Sequence, residues 1–112
     1  MDLTPTPGLP YHYNAQIIRV VDGDTVDVEL DLGFNTFTKQ RLRMLGYNAP
    51  ERKQPGFELA TTYFRNCLTG TSLVVHTTKR DSFGRWLAWV YVDGDNVSVL
   101  MDSFLKDLII GF

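Results

Sequence analysis

Residues 39–52, KQRLRMLGYNAPER, carry the pattern that decides the fold of this chain. In the first half, Arg41 and Arg43 fall on one side of a predicted strand and apolar residues on the other, because strand side chains point to opposite faces in turn. The glycine, asparagine and proline that follow predict a turn, and Glu51 comes next as an exposed carboxylate. Two guanidinium groups and a carboxylate on one short segment suit phosphate chemistry, although such a segment alone is more often a solvated face.

The whole chain has 112 residues, of which 44% are apolar, and this length and composition predict one globular domain. Its net charge is −2, but acidic residues concentrate between positions 22 and 31 and basic residues between positions 39 and 53. A local field of either sign can therefore act on a ligand. The single cysteine, Cys67, excludes an intramolecular disulfide.

The ends of the chain carry no targeting pattern. The N-terminus lacks a basic start and an apolar segment of signal-peptide length, and no later run is apolar enough to span a membrane. These features predict a cytoplasmic protein without a membrane partner; a processed secreted protein is the alternative. Three prolines predict an extended arm over residues 1–12, ahead of a domain over residues 13–112. The apolar residues from Leu108 to Phe112 are predicted to pack on that domain or to contact a partner.

Alternation and turn residues predict five strands and two helices. The strands are predicted over residues 13–21, 25–32, 36–45, 72–78 and 85–92. Apolar residues at helical spacing predict the first helix between Pro55 and Gly70, and Ser98 is the predicted N-cap of the second. Closure into a barrel removes the exposed edges of short strands. We therefore predict a mainly β domain of the α+β class, a five-stranded barrel with two packed helices.

Two further motifs accompany the first: DGDT at residues 22–25 and DSFGR at residues 81–85. Alone, the former is typical of a hairpin turn and the latter of a surface loop that enters a strand. In this order, with an arginine ahead of the Pro-Glu at 50–51, the three motifs resemble the staphylococcal-nuclease-like (thermonuclease) family over nearly all of residues 13–108. The resemblance implies an oligonucleotide/oligosaccharide-binding (OB) type of barrel. It also implies a Ca²⁺-dependent nuclease that hydrolyses phosphodiester bonds in DNA and/or RNA.

The resemblance assigns three catalytic residues. Arg43 and Arg85 match the two arginines that hold the reacting phosphate, and Glu51 matches the glutamate that positions the attacking water. Charge builds on the nonbridging oxygens as a phosphodiester is cleaved, and oriented guanidinium groups stabilise that charge. Arginine suits this role better than lysine because its planar fork donates two hydrogen bonds to one phosphate.

The resemblance also assigns metal ligands. Asp24 matches the first calcium-binding carboxylate, Asn48 falls where a second is usual, and Ala49 would offer its backbone carbonyl. Calcium prefers oxygen ligands, which all three supply. The amide of Asn48 coordinates through one neutral oxygen, so the sequence predicts weak calcium binding.

Two other readings compete with that of an active nuclease. The chain could be a catalytically inactive nuclease-like barrel that binds nucleic acid or a protein, but such a barrel has little physical reason to keep the charged set together. An OB-type barrel without nuclease ancestry explains the aromatic residues, which could stack on bases, but not the placement of the motifs. The candidates for stacking, most of which could equally pack the core or rim, are Tyr11, Tyr13, Tyr47, Trp86 and Trp89. The sequence leaves the oligomeric state open.

Overall fold

The computed structural model describes residues 11–111, with side chains described as far as Leu108. In chain order the elements are β1 (His12–Asp22), β2 (Thr25–Asp31), β3 (Phe37–Met44), α1 (Phe57–Cys67), β4 (Leu73–Arg80), β5 (Trp86–Val92), β6 (Asp95–Asn96) and α2 (Val97–Gly111). Most of the predicted arm, and the predicted packing of the side chains at 109–112, lie outside the described residues. The division into arm and domain therefore stays a prediction.

The strands form one sheet in the order β3-β2-β1-β4-β5-β6, and β3 also pairs with β5. That extra pairing closes β1 to β5 into a barrel, so the predicted α+β class and five-stranded barrel with two helices are confirmed. The sequence did not predict β6, because two residues are too short for an alternating pattern. Its turn from β5 uses Asp93 and Gly94, both at positive φ.

The barrel closes through a short parallel pairing, which we call the seam. It consists of three residue pairs, Leu42 with Trp86, Arg43 with Leu87, and Met44 with Ala88. The backbone N–H of Leu45 continues it by donating to the carbonyl of Ala88 at 3.0 Å. Because the seam joins the end of β3 to the start of β5, it brings the arginine-bearing strand beside the loop that precedes β5.

Alternation along the strands supplies the core. On β2, Val26, Val28 and Leu30 are buried, and the acidic residues between them lie on the outer face. Burial of each large aliphatic side chain contributes roughly 1.5–3 kcal/mol. One of the outer acids, Asp27, accepts a two-pronged hydrogen bond from Arg41 on β3, at 2.7 and 3.0 Å.

Both helices cover the barrel with the predicted apolar stripes. Phe64 of α1 and Met101 of α2 are fully buried. The prediction that Ser98 is the N-cap of α2 is wrong. The N-cap is Asn96, whose side chain accepts a hydrogen bond from the backbone N–H of Ser98 at 2.9 Å. The Ser98 hydroxyl instead donates to the carbonyl of Leu45 and ties α2 to the end of β3. Within residues 11–111, neither helix is long and apolar enough to cross a membrane.

Candidate active site

Arg43 lies at the end of β3, where its half-buried guanidinium is held by four groups. One nitrogen, Nη1, donates to the carbonyls of Met44 and Tyr47. The other, Nη2, donates to Asn48 Oδ1 at 2.6 Å and lies 3.3 Å from Asp24 Oδ2. Two of the predicted metal ligands are therefore direct partners of a predicted catalytic arginine.

The DGDT turn is packed tightly against the turn that follows β3. Asp24 Oδ2 accepts the backbone N–H of Ala49 at 3.1 Å, and its Oδ1 accepts the Thr25 hydroxyl at 3.2 Å. The buried phenol of Tyr47 donates to the carbonyl of Gly23 at 2.8 Å. The contacts of Ala49 and Tyr47 bring together residues that are 25 and 24 positions apart in sequence. The polar contact described for Ala49 is made by its N–H, so its predicted role as a carbonyl ligand stays a prediction.

Gly23 permits this close approach. A Cβ atom at this position would lie 2.6 Å from the Cβ of Ala49 and 3.3 Å from that of Ala60. We expect Gly23→Ala to lower the free energy of unfolding by about 1–3 kcal/mol, the usual cost of overpacking. Urea unfolding of the variant and the parent measures it. The double variant Gly23→Ala, Ala49→Gly removes the closest clash and should recover most of the loss. Equal losses in the single and double variants would show that this contact is not the cause.

Asp81 organises the loop between β4 and β5. Its Oδ1 accepts the backbone N–H groups of Phe83 and Arg85, at 2.9 and 3.0 Å, and its Oδ2 accepts Nε of Arg85 at 2.8 Å. The guanidinium of Arg85 also lies over the Phe83 ring, 5.5 Å from its centre. The D-x-x-G-R motif is thus a self-contained clamp that fixes the direction of the arginine.

The two arginines line one open cleft of about 560 Å³. Arg43 and Asn48 form one wall and the Asp81–Arg85 loop forms the other. The seam produces this arrangement, because Arg43 pairs with Leu87, two residues after Arg85. The predicted pair of phosphate-holding arginines is therefore brought together in the structure.

Glu51 does not line this cleft. Its side chain is exposed on the loop after Pro50, and its described hydrogen bonds join its backbone to Gln54. Among the six predicted site residues, Asp24, Arg43, Asn48 and Ala49 form one contact network, Arg85 faces it across the cleft, and Glu51 stands apart.

The pKa values of the two aspartates near the arginines are shifted in opposite directions. Burial raises the pKa of Asp24, against the lowering effects of the Ala49 N–H and of Arg43. For Asp81, desolvation would raise the pKa, but hydrogen bonds from Arg85 and Phe83 prevail and lower it. The pKa of the Asp81 carboxyl is therefore lowered, whereas that of Asp24 stays raised because burial outweighs the effects of the Ala49 N–H and of Arg43.

The profile of the family described as "Staphylococcal nuclease homologue" matches residues 41–102, more than half of the chain. The chain belongs to this family. The matched range includes the seam, both cleft arginines and the loop clamp. The predicted resemblance is therefore confirmed.

Several curated proteins are similar to most of this chain. An "uncharacterized endonuclease" of Escherichia coli O157:H7 is 32% identical over 96 residues, which cover 85% of this chain and 60% of that protein. The thermonuclease of Staphylococcus hyicus is 32% identical over 85 residues, covering 69% of this chain and 47% of its own length. Endonuclease YncB of Bacillus subtilis is 31% identical, with 84% and 45% covered. The chain thus spans about half of these relatives.

The oxygen atoms near Arg43 are of the kind that binds calcium, but few of them carry a negative charge. The side-chain oxygens that contact Arg43 belong to Asp24 and Asn48. Asp22 lies close by, with its Oδ1 accepting the N–H of Asp24 at 3.1 Å. Hard cations prefer such oxygen ligands. Among the described residues, however, no three acidic, histidine or cysteine side chains form a group that could hold a metal. The donor set fits calcium in kind and predicts a low affinity.

Sequence reasoning missed two residues of the site. Tyr47 was a candidate for base stacking but is buried, and burial raises its pKa well above the ordinary value. Its hydroxyl and carbonyl instead join the DGDT turn to Arg43. Asp81 carries the loop clamp, and its place at the head of D-x-x-G-R was the signal for it.

Proposed function

We propose that this domain is a Ca²⁺-dependent nuclease that hydrolyses phosphodiester bonds in DNA and/or RNA. The observation that carries the proposal is the convergence of Arg43 and Arg85 on one open cleft. Membership of the staphylococcal-nuclease family supports it. The names of the relatives, endonuclease and thermonuclease, agree with it.

In this proposal the two arginines hold the reacting phosphate. The oxygen of a water molecule bonds to phosphorus and the water gives up one proton. The bond to the 5′ oxygen breaks, and that oxygen leaves as a hydroxyl that carries the equivalent of the proton released by the water. The other product ends in a 3′-phosphate. Arg43 and Arg85 stabilise the charge that builds on the nonbridging oxygens. Neither donates the proton, because a guanidinium group in a protein holds its proton too firmly to act as an acid.

Both arginines are oriented before substrate arrives. Asp81 holds Nε of Arg85, and Asn48 with two carbonyls holds Arg43. Groups fixed in advance need no reorganisation in the transition state, which is why preorganised donors are effective. The guanidinium group of Arg43 already donates hydrogen bonds within the protein. A phosphate that binds Arg43 would therefore replace Asn48 as the acceptor of one of these bonds or accept it together with Asn48.

Glu51 is proposed to position the attacking water. Its carboxylate is exposed and follows Asn48 and Ala49 by two to three residues, on the same loop as the cleft wall. Catalytic contacts often form only when substrate is bound. In the same proposal, bound calcium would supply positive charge near the phosphate, with Asp24, Asn48 and the Ala49 carbonyl as its ligands.

The test is incubation of the protein with end-labelled single-stranded DNA and RNA, in calcium or in chelator. We expect calcium-stimulated cleavage with 5′-hydroxyl and 3′-phosphate product ends. Products with 5′-phosphate ends would contradict the proposed direction of attack, and intact substrate in calcium would contradict the activity itself.

Asn48→Asp is expected to tighten calcium binding. The change adds one negative charge beside the proposed metal without changing the size of the side chain, and ligand charge sets calcium affinity. Isothermal titration of calcium into both proteins measures the dissociation constants directly. Asn48→Ala, which removes the ligand oxygen, is the matched control and should weaken binding. Equal constants for all three proteins would show that Asn48 positions Arg43 and does not bind calcium.

The alternative function is a barrel that binds nucleic acid or a protein without cutting it. One observation favours it: both arginines have internal partners, and Glu51 stands outside the cleft. Binding of the labelled strands in calcium, with no cleavage after prolonged incubation, would support this alternative over the enzyme.

A further inference from the structure

A second opening lies on the other side of β5 from the cleft. We call it the aromatic mouth. It has a volume of about 400 Å³ and contains the rings of Tyr11, Tyr13 and Trp86. Thr38 and Gln40 also line it, joined by a hydrogen bond of 2.8 Å from the amide to the hydroxyl. Flat rings beside an amide and a hydroxyl suit a ligand with a flat apolar face and a polar edge.

The aromatic mouth and the cleft are separated by one residue of the chain. Arg85 lines the cleft, and Trp86 lines the mouth. Consecutive residues entering a strand point to opposite faces, and the seam pair between Trp86 and Leu42 holds the start of β5 against β3. A strand whose phosphate lies on Arg85 therefore has the mouth within reach of a neighbouring nucleotide.

A positively charged side chain lies against Trp86. The guanidinium of Arg80, its cross-strand partner on β4, lies over the indole, 5.3 Å from the ring centre. The Arg80 side chain is exposed at the rim. An aromatic platform beside an exposed cation offers a nucleotide both of its usual contacts, stacking for the base and charge for the phosphate.

Tyr11 is held in an unfavourable conformation at this rim. Its φ is 62°, a left-handed value that is uncommon for a bulky residue. The backbone N–H of Thr77 fixes it by donating to the Tyr11 carbonyl at 3.0 Å. Its side chain stays 65% exposed, so this strain does not serve to bury the ring. Such strain is most often kept where a side chain has a function.

We propose that the aromatic mouth binds an unpaired base of the nucleic-acid strand that is cut in the cleft, and thereby selects single-stranded segments. A base inside a duplex is stacked on both sides and cannot enter, whereas any unpaired base offers a flat face. The inference rests on the proposed nuclease function, because it places the mouth beside the reacting phosphate.

The test separates bases from phosphates. Fluorescence anisotropy in chelator compares a labelled oligothymidylate with an abasic strand of equal length and charge. Base stacking on aromatic side chains is sequence-tolerant and strong, so we expect the parent to bind the base-bearing strand about tenfold more tightly or better. In Tyr11→Asn and Trp86→Ala this preference should fall about tenfold. Phe34→Ala, which removes a fully exposed ring on the β2–β3 turn outside the mouth, is the matched control and should keep it.

Tyr11→Asn protects the test against misfolding. Asparagine tolerates left-handed φ values, so this variant should fold at least as well as the parent even if Trp86→Ala is destabilised. With calcium present, Tyr11→Asn should raise KM for long single strands and leave kcat nearly unchanged. A Tyr11→Asn protein that keeps the full base preference overturns the inference.

The outcomes for the mouth and for the nuclease are distinguishable. A parent that cuts but binds both probes equally contradicts the mouth and leaves the nuclease standing. A parent that prefers the base-bearing strand, loses the preference in Tyr11→Asn and never cuts supports the mouth as a base-binding site and contradicts the enzyme. Equal binding of single-stranded and duplex probes by the parent also counts against the mouth.

Discussion

Arg85→Ala is expected to reduce calcium-stimulated cleavage by about a hundred- to a thousand-fold, the usual cost of losing one oriented transition-state donor. The fold should hardly change. The Arg85 side chain contacts Asp81 and Phe83, both in its own loop. Asp81 would keep the backbone N–H groups of Phe83 and residue 85 as donors, so the loop stays closed. Cleavage rates and melting curves of the parent and the variant measure the two effects separately.

A matched control for this change is Arg65→Ala. Arg65 is exposed in the last turn of α1 and does not line the cleft, so its loss removes the same surface charge without touching the site. Its cleavage rate should stay within a few-fold of the parent. If Arg65→Ala and Arg85→Ala slow cleavage equally, the arginine in the loop acts through general charge and not as a phosphate ligand.

Arg43→Ala is expected to cost both activity and stability. The loss of rate should match that of Arg85→Ala. In addition, Asp24 loses its cationic neighbour, although only 14% of the Asp24 side chain is exposed to solvent. Asp24 keeps the hydrogen bonds from the Ala49 N–H and the Thr25 hydroxyl, but the loss of a charged partner costs a buried carboxylate about 1–3 kcal/mol. We expect this loss to lower the melting temperature by several degrees in a domain of this size. Thermal unfolding and single-turnover cleavage measure the pair of effects.

Two further variants sharpen the result for Arg43. Arg43→Lys keeps the charge beside Asp24 but loses the fork, so it should recover part of the stability and little of the rate. Arg41→Ala, on the same strand, removes an exposed ion pair with Asp27, and such surface pairs contribute about 0–1 kcal/mol. An Arg43→Ala protein as active as Arg41→Ala would show that the assigned site is wrong.

The strands could be predicted from the sequence because burial of one face of a strand produces an alternation of apolar and polar residues. The valines of β2 alternate with acids, and the predicted bounds, 25–32, differ by one residue from Thr25–Asp31. Helix α1 was equally readable from its apolar spacing. What the sequence did not predict are features without such a pattern. The hydroxyl of Ser98 finds a carbonyl 53 residues away, and no local pattern distinguishes that bond from a cap.

The site divides in the same way. The motifs predicted a set of site residues, and the structure brings three of them, Asp24, Arg43 and Asn48, into contact. Their mutual contacts were not predictable, since the two turns meet only because Gly23 lacks a side chain. The position of Glu51 depends on the loop that contains Pro50, Pro55 and Gly56, and no periodic pattern predicts the course of such a loop. The roles of these residues in catalysis stay predictions for the assays above.

The seam fixes the distance between the two arginines of the cleft. Its three pairs join the Arg43 end of β3 to the start of β5, so opening of the seam would move the two arginines apart. In the proposed function, a phosphate bound by both arginines would link the two sides of the seam. A ligand that binds only the closed form stabilises it by mass action. The backbone N–H of Leu45 donates to the carbonyl of Ala88 across the seam. We therefore expect the hydrogen of this amide to exchange more slowly when a nucleotide is bound, because the bound nucleotide would keep the barrel closed.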